Sequence, residues 1–334
     1  MQQRIPTLSL IGCGGCGCNI LKKVYAKLDD NIKASISTMV IDTAKSNFDG
    51  LSEDCKIHSI GELGSGRDRK KNAASIRLYF DRNPELGKNV SDISIIISSF
   101  GGGSGSNISP ILTEHIMRRD SGKAVVIVGV LDTSSERDTI NSITTLKTFE
   151  KFAKENGIAI PMLLFSNTMV INGKKAGKFG VDQSASTRIQ QLINLLVGEG
   201  ISELDWADRM AYLRPTDSGC DSGLCSISIA ASSLDDIQDD LPGEMLIRID
   251  TDTIVQGVLV VNESGLVPDI MSNVSYVGVS NKRYVSVMVE GVPPQLTQDL
   301  ANMADKFKHA VKMKSTMTTD LDKFGEEDKT GLIL

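Results

Sequence analysis

Two glycine clusters, each set where an apolar run gives way to a helical pattern, restrict this chain more than any other feature. Gly12-Cys13-Gly14-Gly15-Cys16-Gly17-Cys18-Asn19 follows the run Leu8 to Ile11, and Phe100-Gly101-Gly102-Gly103-Ser104-Gly105-Ser106-Asn107 follows Ile93 to Ser98. Glycine at a strand end lets backbone N–H groups approach an anion closely, and the N-terminus of the next helix favours negative charge. Phosphate binding is the inference, with the hydroxyls of Ser104 and Ser106 as further donors.

The runs Leu8 to Ile11, Thr38 to Ile41, Ile93 to Ser98, Ala124 to Val130 and Met162 to Phe165 are continuously apolar or β-branched, as strands buried on both faces of a parallel sheet are. Asn19 to Leu28, Ala73 to Phe80, Ile108 to Arg118 and Asn141 to Glu155 carry apolar residues three and four apart, the spacing of crossover helices. The alternation predicts a doubly wound α/β domain over residues 1–180. Asp182 to Val197 reads as a helix, giving a connecting element over 181–200 that stops at Gly198 and Gly200. Beyond it, Cys225 to Ala231, Met245 to Ile249, Gly257 to Val261, Tyr276 to Val279 and Tyr284 to Val289 predict a second sheet in an α+β domain over 201–292. Pro293 and Pro294 open a long helix within 293–319, and residues 320–334 form an acidic tail ending on Leu332, Ile333 and Leu334. A length of 334 residues suits such a bipartite chain.

Hydrophobic residues at 40% and charged residues at 23% exclude a wholly disordered, collagen-like or coiled-coil chain. A net charge of −6 gives no global basic field, so neither direct nucleic-acid binding nor a membrane partner is expected. Apolar runs stay well below the roughly 18 to 20 residues of a membrane span, and the first fifteen residues have too short an apolar core for a secretory signal, so a cytosolic protein is expected. Six cysteines in this length read as reduced thiols. Cys13 and Cys16 have no matching second pair of ligands, so no metal site is expected on them. The three histidines, His58, His115 and His309, make no string with a nucleophile and read as structural.

Two motifs leave alternatives open. The first loop contains G-x-G-x-x-G, and Asp42 ends the second strand where a dinucleotide-binding fold places its ribose acid. A Rossmann-type NAD-dependent oxidoreductase built on Gly12, Gly14, Gly17 and Asp42 is therefore one reading, although it leaves the second glycine loop without a role. In Glu203-Leu204-Asp205-Trp206-Ala207-Asp208, two carboxylates three apart can point the same way on one helical turn, which suits holding a water or a magnesium-bound oxygen. On its own, such a string is more often a solvated helix cap.

GGGSGS resembles the tubulin signature G-G-G-T/S-G-T/S-G, with Asn107 in place of its last glycine, and GCGGCGCN resembles the first glycine loop of the FtsZ division tubulins. SFGGGSGSNISP, followed by a strand and TLKTFE, is similar to the phage tubulins of the PhuZ type, and the resemblance covers the first 210 residues well and extends loosely through the C-terminal helix and acidic tail. It implies a tubulin-like fold and an assembly-dependent GTPase that uses GTP, GDP and Mg²⁺ and polymerises head to tail into dynamic filaments. It also implies a role in positioning the phage genome or its compartment in the cytoplasm of an infected bacterium.

Carried over by position, the resemblance assigns Gly14, Gly15 and Asn19 to the first nucleotide loop and Asp42 and Thr43 to the end of the second strand. Gly64, Ser65, Gly66 and Arg67 fall near the γ-phosphate, and Gly101, Gly102, Gly103, Ser104, Gly105 and Ser106 around the phosphates. Glu136 matches a sugar-contacting glutamate and Asn167 an asparagine near the base. Phe179 falls where the family stacks an aromatic ring on guanine, with Asp182 or Gln183 reading its edge. Asp205 and Asp208 are implied as catalytic acids that enter the site of the next subunit, and the tail is implied to dock on a neighbouring subunit.

Overall fold

A computed structural model describes residues 7–308, apart from 89, 121, 168, 169, 172, 173, 176, 199, 219, 231–253, 262–275, 281–283 and 295. Among the described residues ten strands make one sheet: β1 (Leu8–Cys13), β2 (Ile36–Asp42), β3 (Lys56–Ser59), β4 (Ile93–Ser99), β5 (Ala124–Leu131), β6 (Ala159–Ser166), β9 (Gly223–Ala230), β10 (Ile254–Val261), β11 (Tyr276–Val279) and β12 (Tyr284–Glu290). Two-residue strands β7 (Val170–Ile171) and β8 (Lys174–Lys175) pair separately. The helices are α1 (Gly14–Lys27), α2 (Asp30–Ala34), α3 (Arg69–Arg82), α4 (Gly105–Met117), α5 (Glu136–Asn156), α6 (Gly177–Val197) and α7 (Trp206–Tyr212).

The order across the sheet is β11-β10-β12-β9-β6-β5-β4-β1-β2-β3. From β3 to β9 every pairing is parallel; β12 then runs antiparallel to both β9 and β10. Alternate residues of each central strand enter opposite cores, which explains the unbroken apolar runs. On β5, Val126, Val128 and Val130 pack with Leu21 of α1 and Leu192 of α6, whereas Val125, Ile127 and Leu131 pack with Leu112 of α4 and Phe149 of α5.

The parallel α/β expectation for the first half agrees with this architecture. The expectation of a second, separate sheet is corrected: β9 pairs with β6 from Ala159↔Gly223 to Met162↔Ser226, so the later strands extend the first sheet. The alternating pattern of Cys225, Ile227 and Ile229 makes a strand legible but does not name its partner. Residues 296–308 are helical, within the expected C-terminal helix. The expected strand Met245 to Ile249, the rest of that helix and the tail 320–334 lie outside the described residues. Among the described residues no helix is long and apolar enough to cross a membrane.

Candidate functional site

Strand order reverses between β1 and β4: the chain moves outward to β2 and β3 on one side and to β4, β5 and β6 on the other. Loops leaving adjacent strands in opposite directions open a crevice at their carboxyl ends. Here the crevice is a cleft of about 380 Å³ between both glycine clusters, the segment 64–67 and the ends of β2 and β5.

The two glycine loops meet backbone to backbone. A Cβ on Gly14, whose φ is +72°, would stand 2.7 Å from the Gly105 nitrogen, and one on Gly105 would stand 2.6 Å from the Cys13 carbonyl oxygen. Both distances are below any real Cβ contact, so a side chain at either position would force the loops apart. A Cβ on Gly103 would likewise meet Ser65 Oγ and the Arg67 backbone, which brings the segment 64–67 against the second loop.

Helices α1 and α4 start at this junction, and neither has a side-chain cap on its first amides. Two other long helices are capped: Asp68 accepts from Lys71 N on α3, and Ser135 accepts from Asp138 N on α5. Two helix starts with unpaired N–H donors facing one cleft make a receptor for anionic oxygens.

Polar groups behind the loops fix them in place. Ser106 Oγ donates to the Gly102 carbonyl, and Asn107 Nδ2 donates to Gly103 O at 3.0 Å and to Arg69 O at 2.7 Å. The asparagine that departs from the tubulin signature thus ties the second loop to the start of α3. Pro110 lacks the N–H that would bond Ser106 O within α4, and Arg69 Nε donates to that carbonyl at 3.4 Å instead.

Asp42 is buried, with Oδ1 accepting from Thr43 N at 2.6 Å and Oδ2 from Asn47 Nδ2 at 2.5 Å. Asp132 and Asp138, at the end of β5 and the start of α5, also line the cleft. Asp132 Oδ1 takes bonds from the Ser134 amide and hydroxyl, and Asp138 Oδ2 accepts from Ser135 Oγ at 2.7 Å and pairs with Arg67 Nη1 at 3.3 Å. Arg67, held at φ +58°, and Lys178 are the cationic side chains among the described residues of the wall. Burial pushes the Cys18 thiol up to about 12, with Asp42 adding to the shift, and burial likewise raises Cys13 and Cys16. Among the described residues no group of three His, Cys, Asp or Glu side chains is placed to hold a metal ion.

Of the residues singled out in the sequence, Gly14, Gly15, Asp42, Gly64, Ser65, Gly66, Arg67 and Gly102 to Gly105 line the cleft. Thr43 lies just beneath, its Oγ1 2.6 Å from Ser104 Oγ, and Gly101 packs against Asp132. Asn19 is exposed on α1, and Glu136 borders a neighbouring surface hollow with Arg67 and Asp138. The backbone N–H of Asn167 donates to Leu131 O at 3.0 Å. Phe179 is 76% exposed on α6 with Lys23 Nζ 4.7 Å from its ring centre, and Lys23 pairs with Asp182 at 3.0 Å; Gln183 is exposed beside them. Asp205 and Asp208 stand apart from the cleft as a capping box on α7, Asp205 Oδ1 accepting from Asp208 N at 2.9 Å and Asp208 Oδ2 from Asp205 N at 3.1 Å.

Sequence reasoning missed Asn47, Asp132, Asp138 and Lys178, single polar residues outside any glycine motif. Asp132 carried one usable signal: it follows a buried strand directly, as Asp42 ends one.

Known proteins resemble this chain in sequence and in fold. Residues 7–168 match the model described as Tubulin/FtsZ family, GTPase domain. The phage tubulin-like protein of Pseudomonas phage 201phi2-1 is 25% identical over 213 residues, covering 62% of this chain and 61% of that protein, so the chain spans about three-fifths of its relative's length. Among solved structures, the protofilament of TubZ from bacteriophage PhiKZ superposes with a TM-score of 0.72 at 18% identity over 92% of both chains. A GDP structure of the phage tubulin PhuZ gives 0.66 at 18% identity, covering 93% of this chain and 92% of that one.

The oxidoreductase reading is corrected by this outcome. It assigns no role to the second glycine loop and needs Asp42 for a ribose, whereas both Asp42 oxygens are held by Thr43 and Asn47. What the first loop alone left ambiguous, the pair of loops and the match narrow: residues 7–168 are similar to the GTPase domain of the Tubulin/FtsZ family.

Proposed function

We propose that this protein binds and hydrolyses GTP and assembles head to tail into filaments, each active site being completed by the next subunit. The observation that carries the proposal is the junction of Gly14 with Gly105, where two uncapped helix starts face one cleft. The α1 amides would hold the inner phosphates and the Gly101–Ser106 loop the outer ones, with Arg67 adding positive charge. Phe179, exposed beside the mouth, would stack on the guanine, with Asp182 or Gln183 reading its edge; Glu136 and Asn167 remain assigned to sugar and base.

Magnesium fits as a phosphate-held ion and not as a protein-caged one. Asp42 has both oxygens engaged, and Asp132, whose Oδ1 takes the Ser134 bonds, is the wall carboxylate that would hold the ion through water. When bound, it would neutralise charge developing on the phosphates.

Hydrolysis requires a water to attack the terminal phosphorus while the bond to the bridging oxygen breaks, releasing GDP and phosphate. This reaction asks mainly for positioning and charge stabilisation. Asp205 and Asp208 of the next subunit would orient that water, their side chains already fixed by the reciprocal cap on α7. In this scheme residues 1–180 bind nucleotide, 181–200 connect, 201–292 carry the catalytic loop, and 293–319 and 320–334 form the C-terminal helix and a tail that docks on a neighbour. The place of action is the cytoplasm of an infected bacterium, where the filaments position the phage genome or its compartment; the relatives' phage origin and the PhiKZ protofilament support that reading.

The test is titration calorimetry with GTP and GDP, followed by right-angle light scattering and phosphate release over a range of protein concentrations. GTP-dependent scattering with specific activity rising as polymer forms is expected. A flat specific activity would leave a nucleotide-holding scaffold, and a chain with no affinity for GTP would refute the proposal.

A further inference from the structure

Far from the nucleotide cleft, two cysteine sulfurs lie in contact. Cys220 Sγ and Cys225 Sγ are 3.5 Å apart, a thiol pair separated by four residues in sequence. Cys225 is buried on β9, the strand that joins the two parts of the sheet, in register with Pro161 of β6 and Glu290 of β12. Cys220 is half-buried on the turn that leads into β9. That turn is fixed from both sides: Cys220 N donates to Pro215 O at 3.1 Å, and Ala159 N at the start of β6 donates to Thr216 Oγ1 at 2.6 Å. The two sulfurs are therefore held together by a backbone that is tied down.

The geometry points to a two-thiol modification site: Cys220 and Cys225 act as an attacking and a resolving cysteine that close an intramolecular disulfide when they meet a disulfide-class oxidant. Cys220, the more accessible of the two, attacks one sulfur of the oxidant R–S–S–R as its thiolate. The S–S bond breaks, one RS⁻ leaves and takes up a proton as RSH, and Cys220 is left as a mixed disulfide. Cys225 then loses its proton, its sulfur attacks Cys220 Sγ at contact distance, and the second RS⁻ leaves as RSH. Two protein thiols are oxidised and one disulfide is reduced to two thiols, so the step balances.

Burial raises both thiols, while the hydrogen bond from Cys225 works against burial at Cys220 and favours the Cys220 thiolate as the one that forms first. The reaction is accordingly slow near neutral pH and speeds up as pH rises. In a reducing cytosol the pair stays as two thiols, and it closes when the glutathione pool turns oxidising.

The remaining cysteine with partial exposure, Cys16, lies in the nucleotide cleft and has no sulfur contact of this kind among the described residues. This makes the test specific. The full chain is treated with oxidised glutathione at pH 8.5 and read by intact mass and by peptide mapping without reduction. The expected product is a monomer lighter by two hydrogens, with residues 220 and 225 in one bridged peptide.

Cys225→Ser should stop at a stable glutathione adduct on Cys220, and Cys220→Ser should give no bridge. These two variants keep the test independent of whether bridging alters stability. Glutathione on Cys16 with 220 and 225 recovered as free thiols, a bridge between two chains, or a Cys225→Ser protein without adduct at 220 would each overturn the assignment.

Discussion

Thr43 and Ser104 share a buried hydrogen bond of 2.6 Å between their hydroxyls, joining the end of β2 to the second glycine loop across the top of β1. Three strands therefore present their carboxyl ends as one rigid rim. Thr43→Val keeps the shape but removes the shared hydroxyl. We expect a loss of about 1 to 3 kcal/mol in urea unfolding, with Ser104→Ala in the same background costing much less than it does alone. Additive losses in this double-mutant cycle would show that the two hydroxyls act separately.

Gly105 is under a steric constraint. Its Cβ would stand 2.6 Å from the Cys13 carbonyl oxygen, so Gly105→Ala must separate the loops. The expected cost is about 1 to 3 kcal/mol of stability, with at least about a tenfold loss of GTP affinity by calorimetry. Unaltered GTP binding would mean that the phosphates do not sit between the two loops.

Phe179 separates binding from folding. With 76% of its surface exposed, Phe179→Ala should change stability by no more than about 0.5 kcal/mol. Guanine-nucleotide affinity should nevertheless fall by about 1 to 3 kcal/mol if the ring stacks on the base. Equal affinity in the variant would move the base elsewhere.

The acids on α7 have two roles that substitution can divide. Asp208→Ala should bind GTP and assemble into filaments that persist, because turnover is lost, while loss of the cap costs about 1 kcal/mol. Asp205→Ser keeps a good cap and removes only the carboxylate, so reduced turnover at unchanged thermal stability would assign that carboxylate to the chemistry. Normal phosphate release from both assembled variants would take this loop out of the mechanism.

Alkali should destabilise the protein in part through the cysteines of the first loop. Cys18 is raised from an ordinary 9.0 to about 12, with Cys13 and Cys16 shifted the same way. A raised acid stays neutral in the folded state while the unfolded chain ionises, so its contribution is complete below pH 9 and is lost as pH climbs toward 12. The urea midpoint should fall across pH 9 to 11, and Cys18→Ala should flatten that slope.

The sequence made the central strands legible because each is buried on both faces, and it made the cleft legible through the glycines. Helix starts were harder to read: α1 begins at Gly14 and not at Asn19, because glycine is a poor helix former and tertiary packing overrides its propensity here. The short strand Lys56–Ser59 went unread, since at the sheet edge it has exposed and half-buried residues and no apolar run. Asp138 and Lys178 reach the cleft from the first turns of α5 and α6, where nothing in their neighbours marks them. The joining of β6 to β9 is a long-range choice that a strand's own periodicity does not encode.

That join sets how the molecule can bend. Four residue pairs link β6 to β9, against five between β5 and β6 and six between β9 and β12. A torque applied between the glycine-loop strands and β12 must pass through this ladder, which has fewer paired residues than either neighbour to resist shear. Between the glycine-loop strands and the antiparallel strands, the shortest ladder runs from Ala159 to Met162.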